Sequence, residues 1–204
     1  MTFLLLVSAN TFAEVVGGVG YDSDYFFRGV SQTQGKPSAS AWLDWNNDQG
    51  MYAGAWAGKV DYSDNSASLE SNLYAGYGSD LTNKLSYDLG IIQYRYNHGY
   101  NDLQEVFVGL GYNNVSLYHY VDTNTHTDFT EVSYNLWFVP VVDASISYGY
   151  QSRDADHFQF NLDYTITVPG RHGGYTLGLD VMEEVIDGDY KVQDTVAVGI
   201  SYNF

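Results

Sequence analysis

Along most of the chain, apolar and polar residues alternate one for one. In 142–151, Val142, Ala144, Ile146, Tyr148 and Tyr150 take one parity, and Asp143, Ser145, Ser147 and Gly149 take the other. In 158–166, Phe158, Phe160, Leu162, Tyr164 and Ile166 oppose Gln159, Asn161, Asp163 and Thr165. Further on, Leu177, Leu179 and Val181 oppose Thr176, Gly178 and Asp180. The last segment sets Val196, Val198, Ile200, Tyr202 and Phe204 against Thr195, Ala197, Gly199, Ser201 and Asn203. A period of two places alternate residues on opposite faces of a strand. Beyond residue 15 no segment keeps a helical period. Cut at its turn-rich punctuation, the pattern predicts strands near 15–27, 38–46, 50–60, 68–78, 84–96, 103–112, 114–121, 129–138, 142–151, 157–167, 173–183 and 191–204. That is twelve, an even number.

The fifth of these breaks the pattern. Leu85, Tyr87, Leu89 and Ile91 share a parity with Gln93 and Arg95, while Ile92, Tyr94 and Tyr96 take the other. Either a bulge shifts the register, or the strand has left the apolar zone by residue 93.

Alternation alone fits a soluble barrel with an apolar interior as well as a membrane barrel with an apolar exterior. Size and charge separate them. Twelve strands enclose more space than the eight that side chains can fill. The polar parity carries Asp44, Glu70, Asp88, Glu105, Glu131, Asp143, Asp163 and Asp180. With the apolar face turned to lipid, these groups line a wet lumen, which is the pattern of a transmembrane antiparallel up-and-down β-barrel. The 20 tyrosines and 4 tryptophans suffice for two aromatic girdles. The expected fold is therefore all-β, with about 12 strands spanning 14–204. With both termini on the periplasmic side, the connections at 28–37, 61–67, 97–102, 121–128, 152–157 and 184–190 face outward. These carry most of the loop acids.

The N-terminal Phe3–Val7 run, with Thr11 and Ala13 placed for a cut before Glu14, reads as a short secretory signal over 1–13, although a positive n-region is missing. The alternative is an ordinary apolar first strand. The chain holds 8 basic against 25 acidic residues and no cysteine. This balance excludes nucleic acid as a partner, and the lack of cysteine excludes thiol chemistry.

Residues 22–28 place Asp22, Asp24 and Arg28 on one parity and Tyr21, Tyr25 and Phe27 on the other. On an extended strand Asp24 and Arg28 stand about 13 Å apart, too far for mutual contact. Arg28 is then expected to pair with a carboxylate on a neighbouring strand, Tyr25 and Phe27 to join the outer girdle, and Ser31, Gln32 and Thr33 to begin the first outward loop. Lys59 is the other cation assigned to the lumen, and the acid excess there predicts a preference for cations. A closed barrel, with its carboxylates paired across the interior, is the competing expectation.

Catalysis finds little support. No His-x-Ser triplet occurs, and His98, His119, His126 and His157 fall in or near outward loops, where Asp154 and Asp156 are adjacent to His157. His119 and His126, with Asp122 or Asp128, are the candidate metal ligands, but loops lack the second shell that a tight site needs. No cofactor is expected. Loose binding of divalent cations by the acidic outer loops, bridging to lipopolysaccharide phosphates, is an expectation of the loop charge alone.

The elements Ser23-Asp24-Tyr25, Phe27-Arg28-Gly29, Ser31-Gln32-Thr33 and Pro37 resemble the N-terminal signature of the TorF-type porin family of proteobacteria. The resemblance implies an outer-membrane barrel with a porin role, passing small solutes, and supplies no catalytic residue. The terminal strand, with Val198, Ile200, Tyr202 and Phe204 on one face, is similar to the C-terminal signal by which the barrel-assembly machinery recognises outer-membrane proteins. The expected function is a cation-preferring porin. The alternative is a non-conducting barrel with a structural, adhesive or surface-binding role.

Overall fold

The computed structural model describes residues 13–62, 67–99, 102–136, 143–151, 155–167, 174–186 and 191–204. Among them run β1 (Glu14–Asp22), β2 (Phe26–Phe27), β3 (Val30–Ser31), β4 (Ser38–Asn46), β5 (Met51–Lys59), β6 (Leu69–Asp80), β7 (Leu85–Tyr96), β8 (Leu103–Tyr112), β9 (Val115–Asp122), β10 (Asp128–Asn135), β11 (Asp143–Gln151), β12 (Ala155–Thr167), β13 (Gly174–Ile186) and β14 (Lys191–Asn203). Twelve of these, β1 and β4 to β14, form one closed antiparallel barrel, each strand beside its sequence neighbour. The remaining two, β2 and β3, pair only with each other.

Closure is completed by β1 against β14, with Gly18 opposite Asn203 and Asp22 opposite Gly199. Beyond that ladder Gly17 and Phe204 exchange both backbone hydrogen bonds, at 3.1 and 2.8 Å. In hydrocarbon every unpaired backbone group is costly, so a sheet crosses a membrane only when it has no edge. The even strand number lets first and last strands meet antiparallel.

Side chains divide as the alternation predicts. Val198, Ile200 and Phe204 are 55%, 47% and 57% exposed on the outer face, and Leu73, Leu89, Val106 and Leu110 are exposed with them. Glu70, Asn72, Asp88, Glu105 and Asp122 are buried on the inner face. This is the reverse of a soluble domain, and it is what lipid as solvent selects.

The fifth predicted strand holds its register. Pairing of β7 with β6 runs without interruption from Glu70–Tyr96 to Asp80–Ser86, and with β8 from Leu85–Tyr112 to Tyr94–Leu103. No bulge occurs. Gln93 and Arg95 stay on the outer face, above the apolar band, while Ile92 and Tyr94 enter a packed interior.

The first strand is shorter than predicted. It ends at Asp22, and after Ser23, whose N–H still donates to Val198 O at 2.9 Å, the chain leaves the wall. At the opposite rim the turns are tight. In the turn between β4 and β5, Asn47 Oδ1 accepts from Gln49 and Met51 N–H, and Gly50 takes a left-handed φ of 89°.

Candidate pore constriction

Residues 24–33 fold into the barrel, and 34–37 return along the rim. Asp24 organises the entry: its Oδ1 accepts from Ser31 Oγ at 2.7 Å and Thr33 Oγ1 at 2.6 Å, while Tyr25 N–H donates to Thr33 Oγ1 at 3.1 Å. The Ser-Gln-Thr run is thus a polar clasp for one carboxylate. Phe27 pairs with Val30, leaving Arg28 and Gly29 as a two-residue turn with φ of 50° and 83°. Two successive positive φ values define the type I′ hairpin turn.

That turn carries Arg28 to β8. Its Nη1 and Nη2 donate to Glu105 Oε1 and Oε2, both at 2.7 Å. A forked pair of this kind is stronger and more directional than a single contact. The guanidinium also lies over three rings, 4.7 Å from the Phe27 centroid, 4.9 Å from Tyr120 and 4.2 Å from Phe129. Tyr94 adds a third donor to Glu105, at 3.0 Å. Left-handed φ at a non-glycine residue is costly, by about 1–2 kcal/mol, and the charge pair and cation–π contacts offset it.

A strap holds the hairpin from the rim. Lys36 Nζ donates to Asp61 Oδ2 at 2.7 Å, Asp61 N–H to Gln32 O at 2.8 Å, and Tyr62 O–H to Gln32 Oε1 at 2.8 Å. The Lys36 ammonium, bonded to Asp61, holds that exposed carboxyl below its ordinary 3.8.

Three expectations are corrected here. Tyr25 and Phe27 are interior residues, packed against a buried cluster of Trp56, Tyr74, Ile92 and Tyr94, because the chain turns inward before they could continue the wall. Asp24 and Arg28 accordingly reach the lumen on the hairpin and not on β1, and the partner of Arg28 stands across the interior, not on a strand adjoining β1. Lys59 is on the outer face. In β5 the even residues Tyr52, Gly54, Trp56 and Gly58 point in, so Lys59 points out, and its Nζ donates to Pro37 O at 3.2 Å.

The strand carboxylates keep their predicted side. Asp22, Asp44, Glu70, Asp88, Glu105, Glu131 and Asp180 occupy inward positions on their strands. The side chains of Asp143 and Asp163 lie outside the described ones, although the backbone sets these residues opposite each other. Several acids have tyrosine donors that the sequence reading missed. Asp88 accepts from Tyr52 at 2.8 Å and Tyr118 at 3.2 Å, and Asp44 accepts from Tyr74. Glu70 is 1% exposed and accepts from Asn72 Nδ2 at 2.8 Å.

The rings lean along the wall over inward glycines of their own or adjoining strands: Trp42 over Gly18, Tyr74 over Gly54, Trp56 over Gly58, Tyr52 over Gly76, Phe107 over Gly90 and Tyr118 over Gly109. A Cβ on each of these glycines would fall 2.3–2.4 Å from a ring atom. Glycines at inward positions were the available signal for these inward rings. Among the described side chains the interior is asymmetric: the β4–β10 wall is aromatic, whereas β1, β11 and β14 present Gly18, Gly20, Ser145, Ser147, Gly199 and Ser201.

Loop acids serve local structure. Asp122 Oδ1 accepts from Asn124 and Thr125 N–H at 2.6 and 2.9 Å. His119 lies within β9 on the outer face, bonded to Thr130 Oγ1 at 2.8 Å, and His126 sits in the following turn with φ of 59°. These two histidines are not brought together, and among the described residues no three His, Asp or Glu side chains form a group fit to hold a metal. Asp154 lies outside the described residues, as does the N-terminal stretch 1–12.

Outward apolar residues, an acidic interior and a closed twelve-stranded ladder define a transmembrane β-barrel. The chain belongs to the family described as "Bacterial protein of unknown function (Gcw_chp)", whose profile matches residues 7–193. No curated protein sequence matches it. Among solved structures it is similar to the KdgM porin, with TM-score 0.64 and 7% identity over 94% of this chain and 98% of that one. It is similar also to "KdgM porin in complex with disordered oligogalacturonate", with TM-score 0.65, 8% identity and the same coverage. A third structure, from work on in-meso crystallization of membrane proteins, aligns with TM-score 0.54 and 12% identity over 93% of this chain and 83% of that one. At these identities the shared property is the fold.

Proposed function

We propose that the protein is an outer-membrane channel for small solutes, narrowed by the 24–33 hairpin and selective for cations. The observation that carries this reading is the imbalance of charge among the described interior side chains. Arg28 is spent on Glu105, while Asp22, Asp44, Asp88, Glu131 and Asp180 face inward. A single-sign lining lowers the energy of opposite charges in a narrow passage. An anionic chain such as the oligogalacturonate of the KdgM complex would meet repulsion here, so the solute is a small cation or a neutral molecule. The TorF-type resemblance agrees with a porin. No catalytic step is assigned.

The test is the reversal potential of the purified barrel in a planar bilayer under a KCl gradient. A cation-selective potential is expected, and an anion-selective one would refute the lumen-charge reading. A second reading, a non-conducting barrel, is favoured by the hairpin and ring cluster that occupy one side of the interior. Absence of current above background would establish it over the first.

A further inference from the structure

On the outer face, β4, β5, β6 and β7 present a dent floored by small residues. The register aligns Ala41, Ala57, Ser71 and Arg95 in one row across four strands, and Leu43, Ala55 and Leu73 in the row below. Together they line a groove of about 410 Å³ open to the outside. One row above, Lys59 is paired with Leu69. Two cations thus flank the upper end of an apolar groove on a chain of net charge −17. Arg95 is exposed and forms no ion pair or hydrogen bond with the described residues.

Height on the barrel gives the groove its meaning. On β7 and β8 the outer face beside Arg95 is polar, with Gln93 and Gln104 joined at 3.2 Å. Below Gln93, Ile91 and Leu89 begin the apolar band, which on β4 and β6 reaches one row higher at Leu43 and Leu73. Arg95 and Lys59 therefore stand at headgroup level, with the groove descending from them into the hydrocarbon. Lys59 stands two strand spacings and one row of two residues from Arg95, about 12 Å between their backbones, a span that the two long side chains can close onto one phosphate. Lysine and arginine at an interface extend toward phosphates and keep their stems in the apolar layer.

We infer that this face is a binding site for phosphorylated lipid A of the outer leaflet, its phosphate held by Arg95 and Lys59 and one acyl chain laid over Ala57 and Ala55. The charge pair supplies the complementarity, and the missing side-chain volume supplies the seat. The leaflet assignment rests on the orientation expected from the sequence, with both termini on the periplasmic side. The site itself does not depend on whether the lumen conducts.

The test is native mass spectrometry of the detergent-solubilised barrel titrated with lipid A, phosphatidylglycerol or phosphatidylcholine. Wild type is expected to retain lipid A at least tenfold more tightly than either phospholipid. The Arg95→Gln/Lys59→Gln variant is expected to lose that preference, and Ala57→Leu, which fills the groove, to weaken lipid A tenfold with both cations present. Heat-shifted gel migration confirms that each variant is folded, since all three side chains face outward. Equal retention of phosphatidylglycerol by wild type, or undiminished lipid A binding by the double variant, would overturn the site. So would a wild-type dimer that Ala57→Leu dissociates, because the face would then belong to a second copy of the chain.

Discussion

At the scale of single residues, Arg28 decides how the hairpin sits. It takes a left-handed backbone, a forked pair with Glu105 and three ring contacts at once. Removing one partner of a buried ion pair leaves the other uncompensated, a loss of about 3–5 kcal/mol. Arg28→Ala is therefore expected to speed hydrogen exchange of the Tyr25–Thr33 amides by two orders of magnitude or more. Heat-modified gel migration should stay that of a folded barrel, because the pair anchors the hairpin and not the wall. Unchanged exchange would show that the clasp at Asp24 suffices alone. Asp61 offers a pH test of the strap. Its folded pKa lies below 3.8, so the Lys36 contact stabilises at pH values above the unfolded pKa and is lost as pH falls through the folded one. Titration of the Asp61 carboxyl by NMR is expected to give a midpoint below 3.8, returning to the ordinary value in Lys36→Ala. High salt should weaken the contact as well, since both groups are exposed.

At the scale of elements, the wall was legible and the hairpin was not. Period-two alternation located the strands, since lipid outside and water inside sort side chains by parity. It extended β1 through residue 27 because Tyr25 and Phe27 kept the apolar parity. Their destination, an apolar cluster inside the barrel, satisfies the same hydrophobicity. What distinguishes the two outcomes is the I′ turn at Arg28-Gly29, and arginine is not a residue that announces positive φ. Lys59 was misassigned for a related reason: the lipid face of β5 carries only the small Ala53, Ala55 and Ala57 while Tyr52 and Trp56 point in, so large apolar side chains do not mark the outer parity there. The tyrosine donors of Asp44 and Asp88 follow from cross-strand register, which a single sequence does not print. The glycine positions make this arrangement testable. Gly76→Ala places a Cβ 2.3 Å from Tyr52 and 2.6 Å from Leu89 O. Overpacking against backbone costs about 1–3 kcal/mol. The variant is expected to lower the temperature of the gel-migration shift and to displace Tyr52 from Asp88, read as a changed tyrosine near-UV signal. An unaltered transition would mean that the rings are not seated on the wall.

At the scale of the whole molecule, a wall closed by backbone bonds carries an interior of two kinds. One side is packed with rings around the inward hairpin, and the other presents, among the described side chains, glycine, serine and a few acids. The net charge of −17 was readable from composition, and the inward placement of most strand acids was readable from parity. That Arg28 is committed to Glu105 across the barrel, and that the first loop carries it there by turning inward, required the fold. Conduction then depends on how much of the cross-section residues 24–33 occupy. The most direct measurement is single-channel conductance in planar bilayers, comparing wild type with a variant in which 24–33 is replaced by a short Gly-Ser linker joining Ser23 to Gln34. Conductance several-fold above that of wild type, with cation selectivity retained, is the predicted result. Equal conductance in the two chains would contradict the assignment of the hairpin as the constriction.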